Sequence, residues 1–266
     1  MNLAHLMTVL DELAPLRYAE SWDNVGLLVG DPQADITKVL VTVDYTTEVA
    51  AEATAAGATL VVAYHPPLFA AVKRVPHDAL WADAIRRGIA LYSPHTALDV
   101  ARDGTNDFLA DACGVSSVAG ERAPLRPLAA KTVREEPEGI GMGRVGAVAS
   151  IARRELVERI KSKLSLSYVL VAGPLDVPAT CVAVAAGAGG EMMEDAFRAG
   201  AEVFVTGEVR HHDALSAARR GVTVVATLHS NSERAAVRAY AARLGARLPG
   251  VTVMASVADT DPFTVR

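Results

Sequence analysis

The chain has 266 residues, 51% of them apolar and 21% charged, with a formal net charge of −5. That length and balance suit one large domain or two ordinary ones with a sizeable buried core. The acidic excess argues against a broad nucleic-acid surface, and Cys113 and Cys181, far apart and outside any CxxC, give no support to a disulfide framework or a thiolate zinc site.

The N-terminal MNLAHLMTVLDELAP is apolar at helical spacing, and Asp11 and Glu12 fall where a signal peptide needs an uncharged run. No apolar run reaches membrane-spanning length, so a cytoplasmic protein is expected. VLVTVD (39–44), TLVVAY (59–64) and IALYS (89–93) read as buried strands, with helices near 46–56 and 77–87. Residues 120–140 are rich in Pro, Gly and charge and read as a crossover strand plus a loop. RVGAVASI (144–151) follows as a strand and RRELVERIKSKL (153–164) as an amphipathic helix. A second series comprises CVAVAA (181–186), EVFVTG (202–207) and VTVVAT (222–227), with helices near 190–198 and 211–219. Continuous apolar runs bounded by helices predict an α/β fold whose mixed or parallel sheets are covered on both faces. The expected layout is a first lobe over 1–120 to which C-terminal elements contribute, a crossover over 121–145, and a second lobe over 146–266.

The two series repeat one another. AGATLVVAYH (56–65) and HDALWADAIRRG (77–88) correspond to AGAEVFVTGE (199–208) and HDALSAARRG (212–221). Gly57 to His65 spans eight residues, as does Gly200 to Glu208. His95 and His229 end the next strand of each series, and each is followed four positions later by a carboxylate, Asp99 and Glu233. His65, His95, Glu208 and His229 thus fall at C-terminal strand ends, where α/β sheets present ligand-binding groups. A histidine at a strand end is more often a hydrogen-bonding residue than a ligand; the doubled pattern favours ligation. Imidazole and carboxylate together suit zinc, iron, manganese or nickel, and a metal pair about 3.5–4 Å apart needs several such donors and a bridging oxygen.

SWDNVGLLVGDP (21–32), AYHPPLF (63–69), SPHTALDVARDGTNDFLAD (93–111), GMGRVG (141–146), VTGEVRHHDAL (205–215) and LHSNSERAA (228–236) resemble, in order, the motifs of the NIF-three-like dinuclear-metal proteins. Bacterial members of that family are commonly called GTP cyclohydrolase I type 2 homologues. The resemblance covers nearly the whole chain. It implies two similar, intertwined α/β lobes with mixed sheets flanked by helices, a metal pair between them, and a homohexamer. Some relatives carry an inserted middle domain, for which the short 120–145 connection has no room.

Carried over by motif, His65, Asp99, His229 and Glu233 are the implied metal ligands, with Glu233 as the bridge. His95 is implied to orient a ligand or move a proton, and His95 and Glu233 are the implied catalytic pair. Tyr64 stands where the family often has a second histidine. A phenol must ionise before it binds well, with an ordinary pKa of about 10, so Tyr64 is a weak ligand and the second ion is conditional. The YHPP and HSNSE forms look closer to the eukaryotic-type branch than to the usual bacterial HHP and HxxTE forms. The implied function is a metal-dependent hydrolase resembling GTP cyclohydrolase I type 2, acting on a small molecule such as a nucleotide. The alternative is a metal-binding regulatory or scaffold protein without turnover.

Other features divide between site and structure. Gly187, Gly189 and Gly190 follow a strand and suit either a phosphate cradle or a plain tight turn. Trp22, Asp23 and Asn24 occupy a loop that the resemblance places along the site. His77-Asp78 and His212-Asp213, with the adjacent His211, read as helix starts, where Asp meets the positive end of the dipole. Arg144 is read either as a basic site residue or as a surface strand residue.

Overall fold

α1 (Leu3–Leu13) opens the chain, with Leu3, Leu6, Leu10 and Leu13 along its buried face and the Asn2 side chain accepting from the backbone N–H of His5 as an N-cap. This fold comes from a computed structural model that describes residues 1–118, 121–128 and 139–266; the remainder of the expected crossover lies outside the described residues. β1 (Gly26–Val29), β2 (Lys38–Thr42), α2 (Thr47–Ala56), β3 (Leu60–Ala63), α3 (Leu80–Arg87), β4 (Ala90–Ser93) and α4 (His95–Val100) follow. Next come α5 (Thr105–Cys113), the short β5 (Arg122–Ala123), β6 (Arg126–Pro127) and β7 (Gly141–Met142), then β8 (Arg144–Ala152), α6 (Arg153–Leu164), β9 (Leu170–Ala172) and β10 (Pro178–Ala185). α7 (Met193–Arg198), β11 (Val203–Thr206), α8 (His211–Arg219), β12 (Thr223–Ala226), α9 (Arg234–Arg247) and β13 (Thr252–Ala255) complete the order.

These elements form two units, Met1–Leu98 with Val237–Arg266, and Asp99–Ala236. Among the described residues, the first unit holds a sheet in the order β1-β4-β3-β2-β13, with β1 antiparallel to β4 and the other pairs parallel. Alternate residues feed its two faces, as the period of a strand requires. Val39, Val41, Leu60, Val62 and Tyr92 pack with α1 and α9, while Leu40, Val61 and Leu91 pack with α2 and α3.

The second unit holds a sheet in the order β5-β8-β10-β11-β12-β9, with β10, β11 and β12 parallel and the flanking pairs antiparallel. Val182, Val184, Val203, Val205 and Val225 meet α5 and α6 on one face. Phe204 and Val224 meet α7 and α8 on the other. The chain is therefore α/β with mixed sheets, and none of its described helices is long and apolar enough to cross a membrane.

The repeat is structural as well as sequential: β3-α3-β4 and β11-α8-β12 are both parallel strand–helix–strand crossings. Gly57 and Gly200 enter them with φ of 67° and 76°, and Gly88 and Gly221 turn from helix to strand with φ of 67° and 74°, a left-handed conformation that glycine adopts without cost to a Cβ. Three boundaries differ from the reading of the sequence. α3 starts at Leu80, so His77 and Asp78 precede it, in a turn closed by Ala79 N donating to Pro76 O. β4 stops at Ser93 and His95 begins α4, because Pro94 has no N–H with which to continue a ladder. The expected helix near 190–198 is a 3-10 turn, Gly189–Met192, followed by the single short helix α7.

Candidate metal centre

In the first unit, β2, β3 and β4 run in parallel register, with Thr42 beside Ala63 and Val62 beside Tyr92, so their C-terminal ends line one sheet edge. Just beyond them come Asp44, His65 and His95. Parallel pairing continues past β3, with Tyr64 N donating to Thr42 O at 2.9 Å and His65 N to Val43 O at 3.0 Å. Extended backbone turns successive side chains to opposite faces. Tyr64 therefore follows Val62 into the core beneath α1 and is 2% exposed, whereas His65 emerges at the strand end.

Carboxylates hold both imidazoles of this edge. His65 Nδ1 donates to Asp44 Oδ1 at 2.9 Å, and His95 Nδ1 to Asp23 Oδ1 at 2.8 Å. An ionised carboxylate accepts only, which puts the proton on Nδ1 in each case. The second oxygen of Asp23 accepts from Thr96 N at 3.2 Å and from Thr96 Oγ1 at 2.5 Å. Burial pushes the Asp23 carboxyl up, but the bonds from His95 and Thr96 outweigh it and hold the group below the usual carboxylate range. The His65 and His95 rings meet edge to face, with centroids 5.5 Å apart.

The second unit repeats the arrangement at the ends of β10, β11 and β12, where Gly187, Glu208 and His229 emerge. His229 Nδ1 donates to Glu208 Oε1 at 3.0 Å, and His229 Nε2 lies 3.5 Å from Glu233 Oε1. Glu233 is 2% exposed. It follows a 3-10 turn, Ser230–Ser232. Ser232 fixes that turn: its hydroxyl donates to His229 O at 2.6 Å and accepts from Gly187 N at 2.8 Å. A Cβ on Gly187 would lie 2.6 Å from Glu233 Oε1 and 3.4 Å from His229 Nε2. Only glycine leaves room there.

Asp99, in α4, is 9% exposed. The buried Asn106 donates to the Asp99 carbonyl at 3.1 Å and accepts from Ala186 N at 2.9 Å, tying α4 to the segment that leads into Gly187. The structural alignment of the repeat shifts by one residue. Counting from the paired Val62–Tyr92 and Val205–Val225, His95 matches Leu228, not His229. His95 and Leu228 are also two of the non-glycine residues with positive φ, at 29° and 72°. Backbone strain of this kind collects at functional sites.

Arg144, the His211-His212 pair and the Gly189-Gly190 segment serve structure. Arg144 is 1% exposed; its guanidinium donates to Asp107 at 2.7 and 3.0 Å and to the carbonyls of Gly141 and Gly143. His211 and His212 sit exposed at the start of α8, where Asp213 accepts from Arg210 at 2.7 Å. Beside Gly189 and Gly190 the space is filled by Ala185 Cβ and the Glu208 carbonyl, which makes that segment a tight turn. Sequence reading missed Asp44, Ser232 and Asn106. The only signal for Asp44 was an acid closing the apolar run 39–44.

The chain matches the family model described as Duf34/NIF3 (NGG1p interacting factor 3) over residues 1–262, in agreement with the motif resemblance. It is 35% identical to the NGG1-interacting factor 3 of Saccharomyces cerevisiae, covering 99% of this chain and 97% of that one. It is 30% identical to a GTP cyclohydrolase 1 type 2 homolog of Clostridium perfringens, covering 99% of both chains. A solved Staphylococcus aureus hypothetical protein superposes with a TM-score of 0.88 at 28% identity, covering 100% of this chain and 99% of that one.

Proposed function

The chain belongs to the Duf34/NIF3 family, and on that premise we propose that His65, Asp99, His229 and Glu233 bind divalent metal for a hydrolytic reaction. The observation that carries this reading is the pair of carboxylate-held imidazoles, His65 on Asp44 and His229 on Glu208. A carboxylate on Nδ1–H fixes the tautomer, makes Nε2 the coordinating atom and raises its basicity. The cradle that Gly187 leaves against His229 and Glu233 fits an ion that takes donors from both side chains. Mixed nitrogen and oxygen donors suit zinc, iron, manganese or nickel.

Two bound ions would lower the pKa of water and stabilise charge that develops on the substrate. His95, held on Nδ1 by an ionised Asp23, is suited to accept a proton at Nε2. Glu233 is the second candidate for proton handling and the bridging donor. The name of the Clostridium perfringens relative supports nucleotides, GTP first, as the substrate class to try. Family resemblance alone supports a homohexamer, and light scattering that returns a monomer would overturn it.

The reading is tested by metal content per chain together with hydrolysis of a nucleotide and phosphoester panel, for wild type and Glu233→Ala. The expected result is at least one divalent ion per chain and turnover that chelation abolishes, both lost in the variant. Fewer than half an ion per chain after reconstitution would sink the dinuclear centre. Metal without metal-dependent turnover would favour the second reading, a metal-binding regulatory protein. The burial of Tyr64 beside His65 favours that alternative, since it withdraws the neighbouring side chain from ligation.

A further inference from the structure

Trp22 and Phe69 are 60% and 51% exposed, and their rings lie 6.1 Å apart at a tilt of 53°. Large aromatic side chains left half in water forgo part of the free energy of burial, so the way this pair is held is informative. The two residues that follow Trp22 are anchored. Asp23 is bonded to His95 and Thr96, and Asn24 Nδ2 donates to the carbonyl of Leu68, next to Phe69, at 2.6 Å. The backbone under the exposed indole is thus pinned on one side, and the two loops that carry the rings are tied together. The aromatic surface also continues inward: Trp22 meets His95 edge to face at 6.2 Å, and His95 meets His65 in the same way at 5.5 Å.

We propose that Trp22 and Phe69 form a stacking subsite for the planar heteroaromatic ring of a small-molecule substrate, which places the rest of that substrate toward His95 and His65. A ring laid on the indole meets the tilted phenyl at an angle, a favourable pairing for two aromatic groups. Such stacking is tolerant of the ring's identity, because every nucleobase has a π face. The occupant is a free ligand and not a nucleic acid, since the chain has a net charge of −5 and no basic excess to match a phosphate backbone. The inference deepens the hydrolase reading and rests on it for the direction of the substrate, but ring binding itself needs no metal.

The test exploits the indole directly. The chain has two tryptophans, and Trp81→Phe leaves Trp22 as the sole reporter. GMP and AMP are expected to quench its emission saturably, and ribose 5-phosphate, which lacks a planar ring, to leave it unchanged. On the wild-type background, saturation-transfer NMR should show ring protons of GMP in contact with the protein, with affinity weakened about tenfold to a hundredfold in Trp22→Ala and less in Phe69→Ala. Ligand NMR on Trp22→Ala does not depend on the Trp81→Phe protein being stable. Equal affinity in Trp22→Ala, or equal quenching by ribose 5-phosphate, overturns the proposal. So does Trp22 emission that is already blue-shifted and changes with protein concentration, which would mark the pair as a contact between copies. Metal content after reconstitution, with the titration repeated in EDTA, separates the two readings. Ring binding in a chain that takes up no metal even on reconstitution sinks only the metal-dependent hydrolase, and a full metal complement without ring binding sinks only the stacking subsite.

Discussion

Gly187 gives the sharpest single-residue test of the metal reading, because steric and backbone effects can be separated. Its φ is +62°, so alanine there carries a backbone cost of about 1 kcal/mol. Its Cβ would also intrude on Glu233 and His229. Gly200 is the matched control: its φ is +76°, yet a Cβ there meets nothing within 4 Å. In EDTA both variants should lower the melting temperature, Gly187→Ala by at least as much as Gly200→Ala, and only Gly187→Ala should lose metal in elemental analysis. Retained metal in Gly187→Ala would remove that cradle from the site. Asp44→Asn and Glu208→Gln probe the imidazole supports. Each should weaken metal affinity by about 10- to 100-fold in a competition titration with a chelator, and unchanged affinity would reduce those carboxylates to surface partners. The sequence made the histidines and the acids that follow them legible through spacing. It did not reveal Asp44, Ser232 or Asn106, because each has a partner in another element and no local period records such a pairing.

At the scale of elements, α5 is fixed to β8 by ions. Burial raises the Asp107 carboxyl, but hydrogen bonds and charge from Arg144 and Arg122 outweigh that and hold it below the usual range. A depressed pKa in the folded state means stability that is present above the unfolded value, about 3.9, and is lost as pH falls through the folded one. Asp107→Asn strands the guanidinium of Arg144 in the interior, and should cost about 3–5 kcal/mol near neutral pH. In urea melts the gap between wild type and variant should narrow as the pH drops below about 4, and a gap independent of pH would show that packing, not charge, joins α5 to β8. On the same helix, burial pushes the Cys113 thiol up to about 12, so a disulfide reagent should modify it only after unfolding. Element existence was legible because buried strands such as 60–63 and 223–226 are mainly apolar runs that follow helix-terminating glycines. The boundaries at Leu80 and Ser93 were not, since a helix period does not show that the turn from Pro76 to Ala79 comes first, nor an apolar run where the missing N–H of Pro94 ends the pairing.

Over the whole molecule, what the local pattern withholds is long-range pairing. β13 lies beside β2, with Thr252 opposite Lys38, and nothing within either segment names the other. The first unit thus combines the start and the end of the chain. The proposed ligands, by contrast, are drawn from the folded chain at 65, 99, 229 and 233, so an unfolded chain does not present them as a set. A ligand that binds only the native state stabilises it by RT ln(1 + [L]/Kd), about 2.7 kcal/mol at a hundredfold excess over Kd. For a chain of this length 1 kcal/mol moves the melting temperature by about 2–4 °C, so saturation with zinc or manganese should raise it by about 5–10 °C over EDTA-treated protein. Glu233→Ala should abolish that shift, and Trp22→Ala should retain it in full, because the stacking pair carries no ligand. Equal melting temperatures in metal and in EDTA would mean that the donors do not bind as a native-state set. A shift that survives in Glu233→Ala would place the stabilising ion elsewhere in the chain.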